Sequence, residues 1–464
     1  MTATATTADA TVDPVANPYL EGNFAPVHTE VTATDLTVTG SIPPELDGRY
    51  LRNGPNPAAA PEPSTYHWFL GDGMVHGLRL RDGRAEWYRN RWVRSGPVAA
   101  ALGESPPAGL GQVHGGMDFA ANTNVIGHAG RTFAIVEAGA LPYELTEELD
   151  TIGPCDFGGT LSGGYTAHPK RDPLTGDLYA VSYYFGWGND VEVSVIGADA
   201  RVRSARRVTM GGPVSVHDCA ITQRYIVLFD LPVLFSMEMV TSGASFPYRW
   251  DDDYPARVGL LPRDGDETEP VWHDVEPCYV FHPMNAYDEP DGDGIVLDVA
   301  RHPAMFRTSL LGPNEGPPTL ERWHLDGHGG PVKEERLDDQ GQEFPRVDER
   351  RVGLPHRYGY SVTFGPTGGV LGSDSGLLRH DVVAGTSQRR SFGPGATLGE
   401  AVFVPRHESA AEADGWVITL VHQRETDSSS LYILNAEDLC GEPQAIVQLP
   451  QRVPDGFHGN WVPS

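Results

Sequence analysis

GWVITLVHQRETDSSSLYILNAEDLCGEPQAIVQLP, residues 415–450, is the stretch that decides the fold. Three runs rich in β-branched, aromatic and aliphatic residues, around Trp416, Leu431 and Ile446, are separated by short polar segments that suit turns. That is three consecutive strands with short connections, close to one blade of a β-propeller, which carries about four strands per blade. The same punctuation recurs along the chain. GLRLRDGRAEWYRNRWV (77–93) reads as strand, Asp-Gly turn, strand. HAGRTFAIVEAG (128–139), TGDLYAVSYYFG (175–186), RYIVLFDLP (224–232) and DGIVLDVARHP (293–303) read as further strands with turn residues at their edges. Helical signals are few: GPVAAALGE (96–104) and LTEELDTIG (145–153) each allow two turns.

No linker or shift of composition divides the 464 residues. The expectation is an all-β chain, a propeller with a few short helices and loops, occupying 17–464 as one domain after a loose Ala/Thr-rich tail over 1–16. A sandwich of this length would be unusual, and 54 glycines with 39 prolines suit many turns and few long helices. No repeat signature of the WD type is present, so the blade count rests on the resemblance described below.

Composition excludes several functions. The net charge of -29 repels phosphate backbones, so no nucleic-acid partner is expected. It also opposes adsorption to anionic lipid and leaves apolar contact as the route to a membrane. Lys170 and Lys333 are the only lysines, which removes most lysine chemistry. Cys155, Cys219, Cys278 and Cys440 are scattered and read as thiols of a reducing compartment. The first twenty residues carry neither a basic nor an apolar signal region, and no run approaches the roughly 20 apolar residues of a spanning helix. A soluble, cytoplasmic protein is expected.

The chain ends in PQRVPDGFHGNWVPS, residues 450–464. Termini usually fray, yet this one holds Phe457, Trp461 and Val462 around His458, as if packed against an early blade. Three other histidines lie beside strands or tight turns: His168 in GGYTAHPKRDP, His217 in VSVHDCAI and His282 in YVFHPMNAY. Imidazole ligates iron, zinc, copper and nickel. The wide spacing excludes a local zinc motif and suits strands converging on a propeller axis. Spacing alone does not select these four over His76, His114 or His356.

Resemblance makes the selection. NPYLEGNFAPV, GSIPPELDGRYLRNGPNP, WFLGDGMVHGLRL, NTNVIGHAGRTFAIVEAG, AHPKRDP, VHDCAIT, FHPMNAY, EFPRVD, GEAVFVPR and FHGNW, in this order from residue 17 to the C-terminus, resemble the carotenoid cleavage oxygenase family, in particular its bacterial members. The resemblance implies a seven-bladed propeller with one non-haem Fe(II) on its axis, held by His168, His217, His282 and His458. It implies that Glu137, Glu343 and Glu400 stand behind those ligands. Four neutral imidazoles leave the ion a dication with two octahedral positions free, and the carboxylates would accept the other ring N–H and fix each ring's tautomer.

The reaction implied is oxidative cleavage of a C=C bond of a carotenoid or apocarotenoid with O2, giving two carbonyl products. The protein's part is to position one double bond and exclude water. Phe69, Phe281, Phe344 and Val136 match or adjoin positions lining the substrate tunnel of relatives; each equally suits plain core packing. Relatives that cleave lignostilbene, resveratrol or isoeugenol carry a lysine where this chain has Val136, so a phenolic alkene is the second choice. A non-catalytic lipophile-binding propeller is the reading from another class. The segment DLPVLFSMEMVTSGASFPYRW, with Val233, Leu234, Phe235, Met237, Met239 and Val240, reads either as an apolar tunnel mouth able to touch a bilayer or as a buried strand and loop.

Overall fold

A computed structural model of the protein describes residues 17–109, 117–290, 292–312, 315–364 and 374–464. The tail expected over 1–16 lies outside these residues, as does His114. The strands form seven blades around one axis. Their repeated unit is a four-stranded antiparallel meander, as in Lys170–Arg171, Leu178–Tyr183, Asp190–Ile196 and Val202–Thr209. The deciding stretch forms Gly415–Gln423, Ser428–Asn435 and Ala445–Gln448, three neighbouring strands of blade 7. Inner and middle strands are apolar on both faces because each blade packs between two others. Leu178–Tyr183 and Tyr360 through Thr363 are buried throughout, whereas outer strands such as Lys333–Asp338 and Thr386–Ser391 are largely exposed.

Closure of the ring explains the ordered C-terminus. Val38–Gly40, from the start of the chain, forms the outer edge of blade 7 on Ala445–Gln448. Gly459–Pro463, from the end, forms the innermost strand of blade 1 on Gly48–Pro55. Both segments are thereby locked in ladders that join the first and last blades.

The short Asp-Gly hairpin forms as read: Gly73–Arg81 pairs with Arg84–Trp92, and Asp82 and Gly83 take left-handed φ values of 50° and 71°. The helix over GPVAAALGE forms as Gly96–Leu102, capped by the Ser95 hydroxyl at one end and left-handed Gly103 at the other. LTEELDTIG is not a helix. Tyr143–Leu145 and Thr151–Pro154 are strands of blade 2, joined by a turn in which Thr146 Oγ1 accepts the Asp150 N–H and Leu149 has φ 71°. Two turns of intrinsic helix do not outweigh a sheet edge that needs a partner. The second helix is Met237–Thr241, near the top of the axis. Among the described residues no helix is long and apolar enough to cross a membrane.

The closing strand leaves no room at Gly48, where an added Cβ would meet the Trp461 ring at 2.5 Å. Gly48→Val should therefore displace the strand that carries His458, at about 1–3 kcal/mol. Urea unfolding should show a lower midpoint, and metal retained through dialysis should fall with it. An unchanged midpoint would mean that the ring does not depend on this contact.

Candidate metal centre

Each blade delivers one side chain to the hub. His458 immediately precedes the inner strand of blade 1, and Glu137 follows the second strand of blade 2, Arg131–Ile135. His168 and His217 precede the inner strands Lys170–Arg171 and Ala220–Ile221 of blades 3 and 4. His282 lies within Tyr279–Asp288 of blade 5 and Glu343 within Gln342–Val347 of blade 6. Glu400 sits in the break between Ala396–Leu398 and Val402–Pro405 of blade 7. Register shifts interrupt the ladders beside His282 and Glu343. Such bulges re-aim a side chain out of the ladder's regular alternation. Positive φ values of 62° at Ala138 and 54° at Phe344, next to two of the glutamates, mark the same local distortion.

The four histidines converge. One ring nitrogen from each of His168, His217, His282 and His458 lies within 4.8 Å of the others. His217 Nε2 stands 3.1 Å from both His168 Nε2 and His282 Nε2, the spacing of neighbouring corners around an ion with bonds of about 2.1 Å.

Three rings are held from behind. His217 Nδ1 is 2.7 Å from Glu137 Oε1, His282 Nδ1 is 2.6 Å from Glu343 Oε2, and His458 Nδ1 is 3.1 Å from Glu400 Oε1. A carboxylate on Nδ1 puts the proton there and leaves the Nε2 lone pair for a metal. Burial alone would push the Glu343 carboxyl up. The His282 ring and its hydrogen bond, with help from His302, outweigh burial and hold the group well below the carboxylate range. Glu400 is likewise lowered, to about 2, because Arg346 and His458 outweigh burial. Burial pushes His458 down to about 4 and, reinforced by the neighbouring rings, pushes His168 lower still. Both are therefore neutral donors at neutral pH. The donor set, four imidazoles with carboxylates behind three of them, fits a divalent late-first-row ion such as iron.

Sequence reading missed three members of this network. His302 Nε2 lies 2.9 Å from Glu343 Oε1, so one carboxylate serves two rings. Arg346 bonds Glu400 Oε2 at 2.7 Å and thereby ties blade 6 to blade 7. Asp218 lies behind the fourth ring without a hydrogen bond to it, its Oδ2 3.7 Å from His168 Nδ1, and is itself paired to Lys170 at 2.8 Å. Its position directly after His217 was the only available signal. Of the histidines that spacing could not reject, His76 is a core ring on Tyr88 Oη at 2.9 Å. His356 is a buried ring on the Asn285 side-chain amide at 3.2 Å. Neither joins the hub.

Above the rings lies an apolar cavity of about 510 Å³. Phe69, Val136, Phe281 and Phe344 all border it, together with His217, His282 and His458. Phe281 stands edge-on to His217 with ring centroids 5.0 Å apart, and Phe344 stacks on His282 at 5.4 Å. Phe69 packs edge to face on Phe246, Phe281, Phe306 and Phe457, which makes the wall stiff. No lysine or arginine among the described residues borders this cavity. The cavity reaches the surface beside Phe185, Met237 and Val240, exposed by 40%, 58% and 42%. The segment read two ways divides accordingly: Val233 is buried, Leu234, Phe235 and Met239 are half-buried, and Met237 and Val240 face out.

Replacing Glu343 by Gln removes the anion that serves both His282 and His302. Metal affinity should fall about 10–100-fold, measured by competition with a chelator. Equal affinity would show that the carboxylate does not support the ring.

The model of the RPE65 family, "Retinal pigment epithelial membrane protein", matches residues 24–463. A carotenoid cleavage oxygenase of Mycobacterium tuberculosis is 48% identical over 97% of this chain and 98% of its own. The crystal structure of Pseudomonas brassicacearum lignostilbene dioxygenase superposes with a TM-score of 0.87 at 27% identity, covering 97% of this chain and 99% of that one. A cobalt-substituted Synechocystis ACO gives 0.83 at 27% identity, covering 95% and 97%. The chain belongs to the RPE65/carotenoid cleavage oxygenase family, which depends on non-haem iron.

Proposed function

We propose that residues 17–464 act as one oxygenase domain that uses Fe(II) and O2 to cleave a C=C bond of a carotenoid or apocarotenoid into two carbonyl products. The observation that carries this is the position of the four-histidine cluster at the floor of an aromatic cavity without a cationic side chain. His168, His217, His282 and His458 would hold the iron, with Glu137, Glu343 and Glu400 keeping the rings oriented. Iron bound there supplies the redox chemistry that lets ground-state O2 react with an alkene.

The chain's own residues do the rest. Phe69, Phe281 and Phe344 present flat apolar faces along which a conjugated chain can lie, and they leave water few partners near the rings. Both oxygen atoms of O2 are accounted for by the two new carbonyl groups, so no general acid or base is needed. Val136, packed with Phe119 and Ala120, offers nothing to a phenolate. Lys170 is bound to Asp218 and borders the other face of the ring set. A carotenoid-type polyene therefore fits this chain better than a hydroxystilbene, although a lignostilbene dioxygenase is among the structures it resembles.

Anaerobic loading with Fe(II), followed by oxygen-uptake and chromatographic assays on a carotenoid, an apocarotenoid and a hydroxystilbene, tests the proposal. One O2 consumed per polyene cleaved, with aldehyde or ketone products and no uptake by metal-free protein, is expected. Preference for the hydroxystilbene would overturn the substrate assignment, and iron-independent binding without oxygen uptake would favour a lipophile carrier.

The exposed Met237 and Val240 beside the cavity mouth support peripheral contact with a bilayer, from which an apolar substrate would be drawn. Because the net charge is -29, neutral lipid should be preferred. Co-sedimentation with phosphatidylcholine vesicles should fall severalfold in a Met237→Glu/Val240→Glu double variant; equal sedimentation would contradict the contact.

A further inference from the structure

The ring set has two faces, and the proposed reaction uses one of them. On the other lies a second cavity, of about 650 Å³. His168, His282 and His458 border it, together with Asp218 and Glu400. Among the described residues His168 borders this cavity and not the aromatic one. The opposite end of the cavity is the protein surface, because Ala129, Gly130, Glu147, Glu349 and Ser464 also border it and all are exposed. The space therefore joins bulk water to three of the four rings.

The two cavities offer a hydrated dication very different surroundings. The aromatic cavity is bordered chiefly by aromatic and aliphatic side chains. An ion passing through it would shed its water with little to replace it, a transfer that is among the costliest a charge can make. The polar cavity has carboxylates at both ends, Glu147 and Glu349 at the rim and Asp218 and Glu400 beside the rings. There an ion can keep its water or exchange it for oxygen ligands. Cationic side chains border this cavity as well, and each is tied to its wall. Asp218 holds Lys170 at 2.8 Å, Glu400 and Glu349 hold Arg346 at 2.7 and 2.6 Å, and Glu144 holds Arg131. Arg49 donates to the Glu147 carbonyl and to Thr132 Oγ1, each at 3.0 Å, and Arg171 donates to the Gly127 carbonyl and to His128 Nδ1. Arg49 and Arg171, which no carboxylate touches, repel a dication, but in a cavity open to water that repulsion is far smaller than the loss of a hydration shell.

We propose that the polar cavity is the entry path of the metal ion, so that iron reaches its four ligands from one face of the propeller while the polyene enters from the other. This rests on reading the four rings as the iron site and the aromatic cavity as the substrate's path. Metal can then be gained or lost while the aromatic cavity is filled, and an apolar substrate need not share its route with a hydrated ion.

The test adds cobalt(II), a coloured stand-in for iron, to metal-free protein. Uptake is timed by stopped-flow absorbance, and equilibrium affinity is measured by competition with a chelator. Glu147→Trp and Ser464→Trp each place a bulky ring at an exposed point of the polar rim, and they are made separately so that one poorly folded variant does not decide the matter. Each should slow uptake severalfold with affinity unchanged. Val240→Trp, at the mouth of the aromatic cavity, should take up the ion at the wild-type rate. Slower uptake in Val240→Trp alone, or equal rates throughout, would overturn the path. Loss of affinity in step with rate in both rim variants would mean a disturbed site and would equally overturn it. Failure of the wild type to take up cobalt would overturn the metal-centre reading on which the path rests. Slowed uptake by the rim variants, in a protein whose iron-loaded wild type cleaves no polyene, would overturn the oxygenase reading and leave the path standing.

Discussion

Everything at the hub depends on buried carboxylates accepting a proton-bearing ring nitrogen. Glu137, Glu343 and Glu400 each take the Nδ1 side of one histidine, at 2.7, 2.6 and 3.1 Å. Without those contacts an imidazole in the interior can rotate or shift its proton, and the inner nitrogens would not share one direction. With them, three rings are fixed from behind. The negative charge also belongs to the device. Three carboxylates in a low-dielectric hub are costly alone, and an imidazole N–H on each, with Arg346 on Glu400, offsets that cost.

The propeller is what makes so compact a charge arrangement reachable from a long chain. Seven blades, each packed between two neighbours, bring seven distant segments to one axis, and each supplies one histidine or glutamate. Closure therefore also places a hub side chain, since the strand that zips blade 1 is continuous with His458. The two faces of the hub differ. One opens into an aromatic cavity bordered by Phe69, Phe281 and Phe344, and the other faces a polar cavity that holds Lys170, Asp218 and Arg346. An apolar substrate has only one of these to enter.

Strand periodicity and turn residues were enough to read an all-β chain, and the blade over 415–450 was visible directly. The blade count and the choice among seventeen histidines were not. They came from ordered motifs, because a ligand in a propeller has no local signature: His168 and His458 share the hub although most of the chain separates them. LTEELDTIG misled because its helix propensity is real, and only the tertiary need of blade 2 for an edge strand overrides it. His302 and Asp218 escaped for another reason. Their roles lie in contacts across blades or in a direction of pointing, and neither leaves a pattern in spacing.

The account stands on one iron meeting all four rings. Anomalous diffraction at the iron absorption edge, on crystals of the Fe(II)-loaded protein, addresses it most directly. The account predicts a single peak on the propeller axis, about 2.1 Å from one nitrogen of each of His168, His217, His282 and His458. A peak away from that point, or one that leaves any of the four rings out of reach, would contradict it.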